Sequence, residues 1–286
     1  MHLLQIDWGP SEILFSIGSF GIRYYSLMFV IGFLLGYNIV KKIYKNEHVN
    51  VEYVESLFMY VVVATLLGAR LGEVFFYNWD YFQNHLVEIL LPIKAVENAS
   101  LFFGLIDGYE FVGYRGLASH GAAIGIISAM ILYRRNYPYK TTLWILDRIV
   151  IPIALAAVLI RIGNFFNSEI VGDYTNNNFG VVFLNRGEIY PRHPAQLYEA
   201  FGYLISFYIL WKTYWNSNKK EKAGYLFGFF LALIFSIRFL VEFVKVSQGG
   251  FEDALGVLST GQWLSIPLIG IGLFFMFRKT AQPKNA

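Results

Sequence analysis

The stretch IVIPIALAAVLI, Ile149 to Ile160, runs directly into RIGNFFNSEIVGD, Arg161 to Asp173. The first part carries no charge and belongs to an apolar segment long enough to cross a bilayer as a helix, which takes about 20 residues. The second part places an arginine, two asparagines and a glutamate within nine positions. Such a polar edge is either a helix end among lipid headgroups or a functional site, and the rest of the sequence has to distinguish the two.

The composition indicates an integral membrane protein. The chain has 286 residues, of which 56% are hydrophobic and only 15% charged, and its mean hydropathy is +0.47. A soluble domain of this length needs more charge to cover its surface. The net charge of +3 gives no basic face for nucleic acid, so no nucleic-acid partner is expected. The chain has no cysteine, which excludes disulfides, thiolate metal sites and a cysteine nucleophile of its own.

Seven apolar stretches are long enough to span a membrane, and no linker or internal repeat divides them. We therefore predict one membrane domain over residues 1–286, without a removable signal peptide. The expected spans are about 24–42, 54–76, 117–135, 142–160, 195–215, 223–243 and 261–278, joined on one side by long loops at about 77–116, 161–194 and 244–260.

The orientation follows from lysine and arginine residues, which collect in cytoplasmic loops. Basic residues follow spans one, three, five and seven, which places them all on one side of an alternating seven-helix protein. We therefore expect a periplasmic amino terminus and a cytoplasmic carboxyl terminus. The basic residues are Lys41, Lys42, Lys45, Arg134, Arg135, Lys140, Lys212, Lys219, Lys220, Lys222, Arg278, Lys279 and Lys284.

Two of the outer loops have local patterns of their own. The segment GLIDGYEFVGYRG, residues 104–116, is rich in turn residues and could form a hairpin. In loop 173–192, a β-like run from Gly180 to Leu184 precedes a turn at Asn185–Gly187. The predicted fold class is thus an all-α polytopic membrane protein of seven transmembrane helices, with a small periplasmic cap built by these loops.

Several spans contain or border charged residues, each of which costs free energy in the membrane and so needs a reason. Arg70 and Glu73 could form an ion pair or bind a lipid phosphate, and Arg238 with Glu242 could be a structural pair. Asp147 and Arg148 are interpreted as an interfacial pair at the start of span four. The segment PRHPAQLYEA, with Gln196 and Glu199 three apart, is on its own an ordinary helix start.

His120, in GLASHGAAIG, is either a structural histidine or one placed for proton transfer. The small residues after it would let another backbone or a lipid approach closely. The predicted topology puts it on the outer side together with polar residues from other helix ends, where arginines could clamp a phosphodiester. An anionic lipid is the expected substrate. The clustered residues are Arg70, His120, Arg161, Asn164, Glu169, His193, Arg238 and Glu242.

At these residues the chain resembles the bacterial phosphatidylglycerol–prolipoprotein diacylglyceryl transferases. The matching pieces follow the family's order along almost the whole length: IRYYSLMFVIGF, GARLG, SHGAAIG, RIGNFFNSEIVGD, HPAQLYE, RFLVEF and GQWLSIP. Arg161, Asn164, Glu169 and Gly172 fall on the family's signature residues. The resemblance implies a seven-helix enzyme of the bacterial inner (cytoplasmic) membrane, with its active site toward the periplasmic leaflet.

The resemblance also implies the reaction: transfer of the diacylglyceryl group of phosphatidylglycerol to the lipobox cysteine sulfur of a preprolipoprotein, with release of glycerol phosphate. Membrane lipids surround the enzyme, and no metal or other cofactor is expected. His120 would act as base or orient the thiol, Arg161 and Arg238 would hold the phosphate, and Asn164 would add a hydrogen bond. Glu169 and Glu242 would fix the arginines. The remaining predicted substrate-binding residues are Tyr25, Arg70, Gly172 and His193.

The sequence departs from the family pattern at a few positions. Ala122 stands where a second glycine usually follows the histidine, and Ser168 stands where the family commonly has glycine. Ala69 replaces a common glycine before Arg70, and Glu73 occupies a position that is often aromatic. Two other functions stay open at this point. A lipid or solute transporter should show repeats and polar groups on both leaflets, and a non-catalytic scaffold would have no need of His120 beside arginines.

Overall fold

The computed structural model describes residues 4–17, 20–101, 104–112, 118–175, 179–246 and 258–279. This part of the chain is mostly helical, and long helices occupy each of the seven apolar stretches. The helices are α1 (Tyr24–Asn46), α2 (Glu52–Phe76), α3 (Trp79–Phe82), α4 (Val87–Leu90), α5 (Ser119–Asn136), α6 (Thr142–Phe166), α7 (Ala195–Asn216), α8 (Tyr225–Val241) and α9 (Thr260–Phe277).

Among the helices in the described ranges, five are both long and apolar enough to cross a membrane: α1, α2, α6, α9, and α8 with its continuation to Val244. Helix α5 ends in Arg134 and Arg135, and α7 contains Glu199 and Lys212, so these two are less apolar on average. The chain is therefore a polytopic membrane protein. The count of seven spans stays a prediction.

Within the described residues, six strands form three small two-stranded sheets, so the chain is not purely helical. The strands are β1 (Leu4–Trp8), β2 (Ile13–Ile17), β3 (Phe20–Arg23), β4 (Ile93–Leu101), β5 (Ile106–Phe111) and β6 (Phe179–Phe183). Strands β1 and β6 pair in parallel, whereas β2–β3 and β4–β5 are antiparallel. A hairpin was predicted within residues 104–116, of which 113–116 lie outside the described residues; β5 falls in this segment, but its partner β4 lies before it, and the predicted β-like run is β6. The segment before the first predicted span forms β1, β2 and β3.

The chain divides into two compact units. The first comprises residues 1–47 and 143–286, and the second comprises residues 48–142. In the first unit, α6 is more buried than α1, α8 or α9: 56% of the residues in its most apolar 18-residue stretch are buried. Helix α1 packs on it where a Cβ on Gly32 would lie 3.3 Å from the Cβ of Ala156. Helices α8 and α9 approach closely at Gly228 and Gly272, where a side chain on either would meet the other's carbonyl oxygen.

Buried charges tie the helices of the first unit together at the start of α6. Asp147 accepts hydrogen bonds from the backbone N–H groups of Gly224 (2.7 Å) and Phe227 (2.8 Å), so it caps the start of α8. Arg148 pairs with Glu47 at 2.8 Å, and its guanidinium lies 3.8 Å from Asp147. The interpretation of Asp147 and Arg148 as a pair between themselves is therefore incomplete, because each has a closer partner on another segment.

In the second unit, α2 and α5 cross at glycines. A Cβ on Gly72 would lie 2.7 Å from the Cα of Gly121, and a Cβ on Gly125 would lie 2.5 Å from the carbonyl oxygen of Ala64. Glycines at such a crossing let two backbones approach closely, as in other membrane helix pairs. The small residues after His120 thus serve the packing of α2 against α5.

Candidate functional site

The polar segment Arg161–Asp173 begins on the last two turns of α6. The helix continues through Phe166, six residues beyond the predicted end of the span at residue 160, so Arg161 and Asn164 are helical. Arg161 is largely buried, with 13% of its side chain exposed. One of its terminal nitrogens donates to Asn164 Oδ1 at 3.2 Å, one turn further along the helix.

Asn164 in turn is held by Glu169. Asn164 Nδ2 donates to Glu169 Oε1 at 2.7 Å, and the backbone N–H of Glu169 donates to the Asn164 carbonyl at 3.0 Å. The carbonyl oxygen of Glu169 accepts from the side chain of Gln196 at 2.6 Å. Glu169 therefore orients Asn164 directly, and Asn164 in turn contacts Arg161.

Tyr25 joins this group from the first turn of α1. A Cβ on Gly163 would lie 2.8 Å from Tyr25 Cδ2, so only glycine lets the ring pack this closely on α6. The hydroxyl of Tyr25 is hydrogen-bonded to the side chain of Asn164 and lies within the electrostatic reach of Arg161 and Glu169. The predicted site residues Tyr25, Arg161, Asn164 and Glu169 are thus brought together.

The closest carboxylate to Arg161 is Glu199, which the sequence interpretation left as part of an ordinary helix start. Glu199 is fully buried on α7, and its Oε2 lies 2.6 Å from Arg161 Nε. The contact is an ion pair by distance, and neither Glu199 oxygen makes an aligned hydrogen bond among the described residues. Tyr203, one turn along α7, is also buried and hydrogen-bonds to Arg161. Removing either charge would leave the other buried without a counter-charge, so Glu199 is a candidate site residue through its contact with Arg161.

A second charged group surrounds the end of α8. Glu242 Oε1 lies 2.7 Å from Lys245 Nζ but 3.9 Å from Arg238 Nε. The other oxygen of Glu242 accepts from the Ser259 hydroxyl at 3.0 Å. Glu242 is therefore held mainly by Lys245 and Ser259, and its hold on Arg238 is loose.

Arg238 connects the two groups. The positive charge of Arg238 interacts electrostatically with Tyr203, which also contacts Arg161. Because its carboxylate partner is 3.9 Å away, its guanidinium keeps donors for an anion in addition to that pair. Two arginines from α6 and α8 thus flank one tyrosine of α7.

Gly172 and His193 are positioned by backbone contacts. The N–H of Gly172 donates to the His193 carbonyl at 2.9 Å, and the N–H of Asp173 donates to the Val244 carbonyl at 2.9 Å. A Cβ on Gly172 would lie 2.5 Å from the Val244 oxygen and 2.6 Å from the His193 carbonyl oxygen. His193 Nδ1 is 3.2 Å from the Tyr198 hydroxyl. Gly172 therefore lets three chain segments meet beside Lys245.

The segment between α6 and Gly172 has an unusual backbone. Ser168 and Ile170 have positive φ angles of 53° and 59°, in the left-handed region that favours glycine. Ser168 stands where the family commonly has glycine, and its buried hydroxyl has no hydrogen-bond partner among the described residues. For β-branched Ile170 this conformation is strained, and such strain persists where surrounding contacts, here those of Glu169, fix the chain.

The remaining predicted residues, Arg70 and His120, belong to the second unit. Arg70 is buried, and it donates to the carbonyl oxygens of Ile89 at 3.0 Å and Glu88 at 2.5 Å. Its guanidinium also lies 4.6 Å from the ring centroid of Phe82. These contacts hold the segment after α2, while Glu73 accepts from Asn78 at 2.7 Å. His120 lies in the first turn of α5 and is half-buried.

Comparison with known proteins gives a consistent result over nearly the whole chain. A family model described as prolipoprotein diacylglyceryl transferase matches residues 12–278. A phosphatidylglycerol–prolipoprotein diacylglyceryl transferase of Bacteroides fragilis is 40% identical over 275 residues, which cover 96% of this chain and 95% of the relative. Proteins of the same name from Chloroherpeton thalassium and Tolumonas auensis are 39% and 38% identical and cover 97% and 95% of this chain, and 95% and 96% of their own lengths.

Proposed function

The chain belongs to the prolipoprotein diacylglyceryl transferase family. We propose that the transfer takes place at the group of side chains formed by Tyr25, Arg161, Asn164, Glu169 and Glu199. The protein is an enzyme that moves the diacylglyceryl group of phosphatidylglycerol to prolipoproteins. The observation that supports this location is the pairing of Arg161 with Glu199 at 2.6 Å, beside Asn164, Tyr203 and Arg238. Three of the signature residues are also in contact, since Arg161 donates to Asn164 and Asn164 donates to Glu169.

The chemistry defines what these residues have to do. A cysteine sulfur of the prolipoprotein attacks the glycerol carbon that carries the phosphate, so a C–S bond forms and the C–O bond to the phosphate breaks. Glycerol phosphate leaves with the bonding electron pair, and the thiol proton has to be accepted. The leaving phosphate gains negative charge, which fixed arginines stabilise. We propose that Arg161 and Arg238 hold this phosphate, and that Asn164 adds a hydrogen bond.

The nucleophile has to arrive with the substrate, because this chain has no cysteine. We assign it to the lipobox cysteine of the preprolipoprotein. A free thiol has a pKa near 8.5, so only a few per cent is ionised at neutral pH, and the reaction gains from a base or a positive field. His120 is proposed to accept the thiol proton or to orient the thiol. Tyr25 and Arg70 are proposed to line the pocket for the lipid headgroup.

Gly172 and His193 stay predicted contributors to substrate binding. The close backbone contacts of Gly172 support an additional packing role, since they leave no space for a side chain. Glu242, which we predicted to fix the arginines, is proposed to do so loosely for Arg238 while it anchors Lys245.

We propose seven spans in the bacterial inner membrane, with the amino terminus and the Arg161 end of α6 facing the periplasm. The lysines and arginines in the last turns of α1, α5 and α7 and in the segments that follow α5, α7 and α9 support this orientation. Strands β1 to β6 would then contribute to the periplasmic cap. Because the chain lacks cysteine, single cysteines at Ile189 and Asn218 can report the topology. A membrane-impermeant maleimide applied to intact cells should label the first position and not the second, and the opposite pattern would reverse the orientation.

The function is tested by transfer in vitro. Purified protein is supplied with phosphatidylglycerol labelled in its diacylglyceryl group and with a synthetic lipobox peptide. We expect the label in the peptide through a thioether, with one glycerol phosphate released per label, and no transfer to a peptide in which the cysteine is serine. A transporter or scaffold would leave the label in the lipid with either peptide.

A further inference from the structure

Strand β1 has one edge that is not paired. Its other edge pairs with β6, in a register that joins Ile6 to Val181 and Trp8 to Phe183. The far edge of β6 is closed by Arg192, which exchanges two backbone hydrogen bonds of 2.9 Å with Val181. In the described part of the chain, no backbone group pairs with the outer edge of β1. Alternate residues of β1 therefore present unused N–H and C=O groups along this edge.

The apolar side of this small sheet is also incomplete at the β1 edge. Paired residues of a parallel sheet lie on the same face, so Ile6 is on the face of Val181 and Trp8 on that of Phe183. Val181 and Phe183 are buried in a core with Phe165 and Val171, whereas Ile6 is 60% exposed. An added strand would cover Ile6 and extend this core by one row.

The open edge of β1 ends close to the candidate site around Arg161. Trp8, at the end of β1, donates its indole N–H to the Phe165 carbonyl at 3.0 Å, and its ring lies 4.4 Å from the ring of Phe165. Phe165 is one helical turn beyond Arg161 on α6. A peptide paired along β1 would therefore have one end beside the last two turns of α6, which carry Arg161 and Asn164.

We propose that the outer edge of β1 binds the prolipoprotein as an added strand, with the residues next to the reactive cysteine paired to Leu4–Trp8. Prolipoproteins are many different proteins, so an enzyme that modifies them has to recognise a shared feature. Main-chain hydrogen bonds provide affinity that does not depend on the side-chain sequence, and alternate side chains then meet surfaces such as Ile6. This inference rests on the proposed function, because the added strand is the protein substrate.

A scan of backbone N-methylation in the lipobox peptide tests this mode of binding. One amide at a time is methylated over the residues on each side of the cysteine, and the KM for the peptide is measured in the transfer assay. Removing one main-chain hydrogen bond should raise KM about fivefold to tenfold. We expect this rise at every second amide on one side of the cysteine, and changes below about twofold at the amides between them.

Protein variants provide the matched comparison. Ile6→Lys places a charge on the open edge, while Ile189→Lys makes the same change at an exposed site, 74% exposed, in the turn after β6. We expect Ile6→Lys to raise the KM for the peptide at least fivefold without changing the KM for phosphatidylglycerol, and Ile189→Lys to match the wild type. Thermal unfolding of both variants shows whether β1 stays folded.

The outcomes separate this inference from the proposed function. If the wild type transfers the label but the methylation scan shows no alternation, the strand-addition inference is wrong and the function stands. If the wild type transfers nothing to the unmodified peptide, both fail. The scan uses only wild-type protein, so an unfolded Ile6→Lys variant would not affect its result.

Discussion

Replacing Glu199 with glutamine is expected to lower the rate of diacylglyceryl transfer by about 10²–10³-fold, the usual loss when a stabilising group of a developing anion is misplaced. Glu199 is fully buried and lies 2.6 Å from Arg161 Nε. Glutamine keeps the shape but removes the charge that fixes the guanidinium. The loss should fall on kcat, with little change in the KM for the peptide, because Glu199 acts through Arg161 on the leaving phosphate.

Stability has to be measured beside activity, since an unpaired buried charge destabilises a protein by about 3–5 kcal/mol. Glu47→Gln is the matched control. Glu47 pairs with Arg148 at 2.8 Å, and Arg148 lies about 20 Å before Arg161 along α6, from the helical rise per residue. We expect Glu47→Gln to lower the unfolding temperature while transfer per folded molecule stays within about threefold of the wild type, well short of the loss at Glu199. If both variants lost activity equally, the loss at Glu199 could not be attributed to its contact with Arg161.

Gly172→Ala is the second change with a large expected effect. The added Cβ would lie 2.5 Å from the Val244 oxygen and 2.6 Å from both the Cβ and the carbonyl oxygen of His193. The backbone has to move to accept it, at a cost of roughly 1–3 kcal/mol. Because Val244 lies between Glu242 and Lys245, this movement should also disturb the group around Arg238. We therefore expect a lower unfolding temperature together with at least a tenfold loss of transfer activity.

Gly270→Ala provides the comparison for this change. Gly270 lies on α9, where an added Cβ would meet no other described segment within 4 Å, so alanine there should leave stability and activity unchanged. A Gly172→Ala protein with unchanged stability and no activity would contradict the packing role. It would instead support direct contact between Gly172 and the substrate.

The helices could be predicted from the sequence because apolar length alone requires them in a membrane. Each predicted stretch contains a long helix, and α6 differs mainly by continuing from residue 160 to Phe166. The small sheets were predictable only in part. The β-like run at β6 has a local pattern. Its parallel partner β1 lies near the amino terminus, far from β6 in the sequence, and a contact between such distant segments leaves no local signal.

Glu199 shows why the site was predicted incompletely. Its spacing from Gln196 fits any amphipathic helix start, and only the fold brings its carboxylate to Arg161. Glu169 was expected to fix the arginines. It lies in the same group of side chains, but its hydrogen bond is to Asn164. The glycines after His120 were interpreted as space for a lipid or a backbone, and in the fold they accommodate α2. Pairing partners depend on tertiary contacts, which the sequence pattern does not contain.

Arg70 is another residue whose contacts could not be predicted from the sequence. Its position in a span suggested either an ion pair with Glu73 or a lipid phosphate as partner. The structure adds two backbone carbonyls of the segment after α2, Glu88 and Ile89. A buried arginine can satisfy its donors with carbonyl oxygens that become available only when a loop folds back, and no spacing rule anticipates this.

A double-mutant cycle on Arg161 and Glu199, measured as kcat for diacylglyceryl transfer by folded protein, tests the central claim most directly. The claim is that Arg161 holds the phosphate and that Glu199 acts by positioning it. We predict that Arg161→Gln and Glu199→Gln each lower kcat by about 10²–10³-fold, and that the double variant loses little more than Arg161→Gln alone. Losses that multiply in the double variant, or an Arg161→Gln protein with nearly full activity, would contradict it.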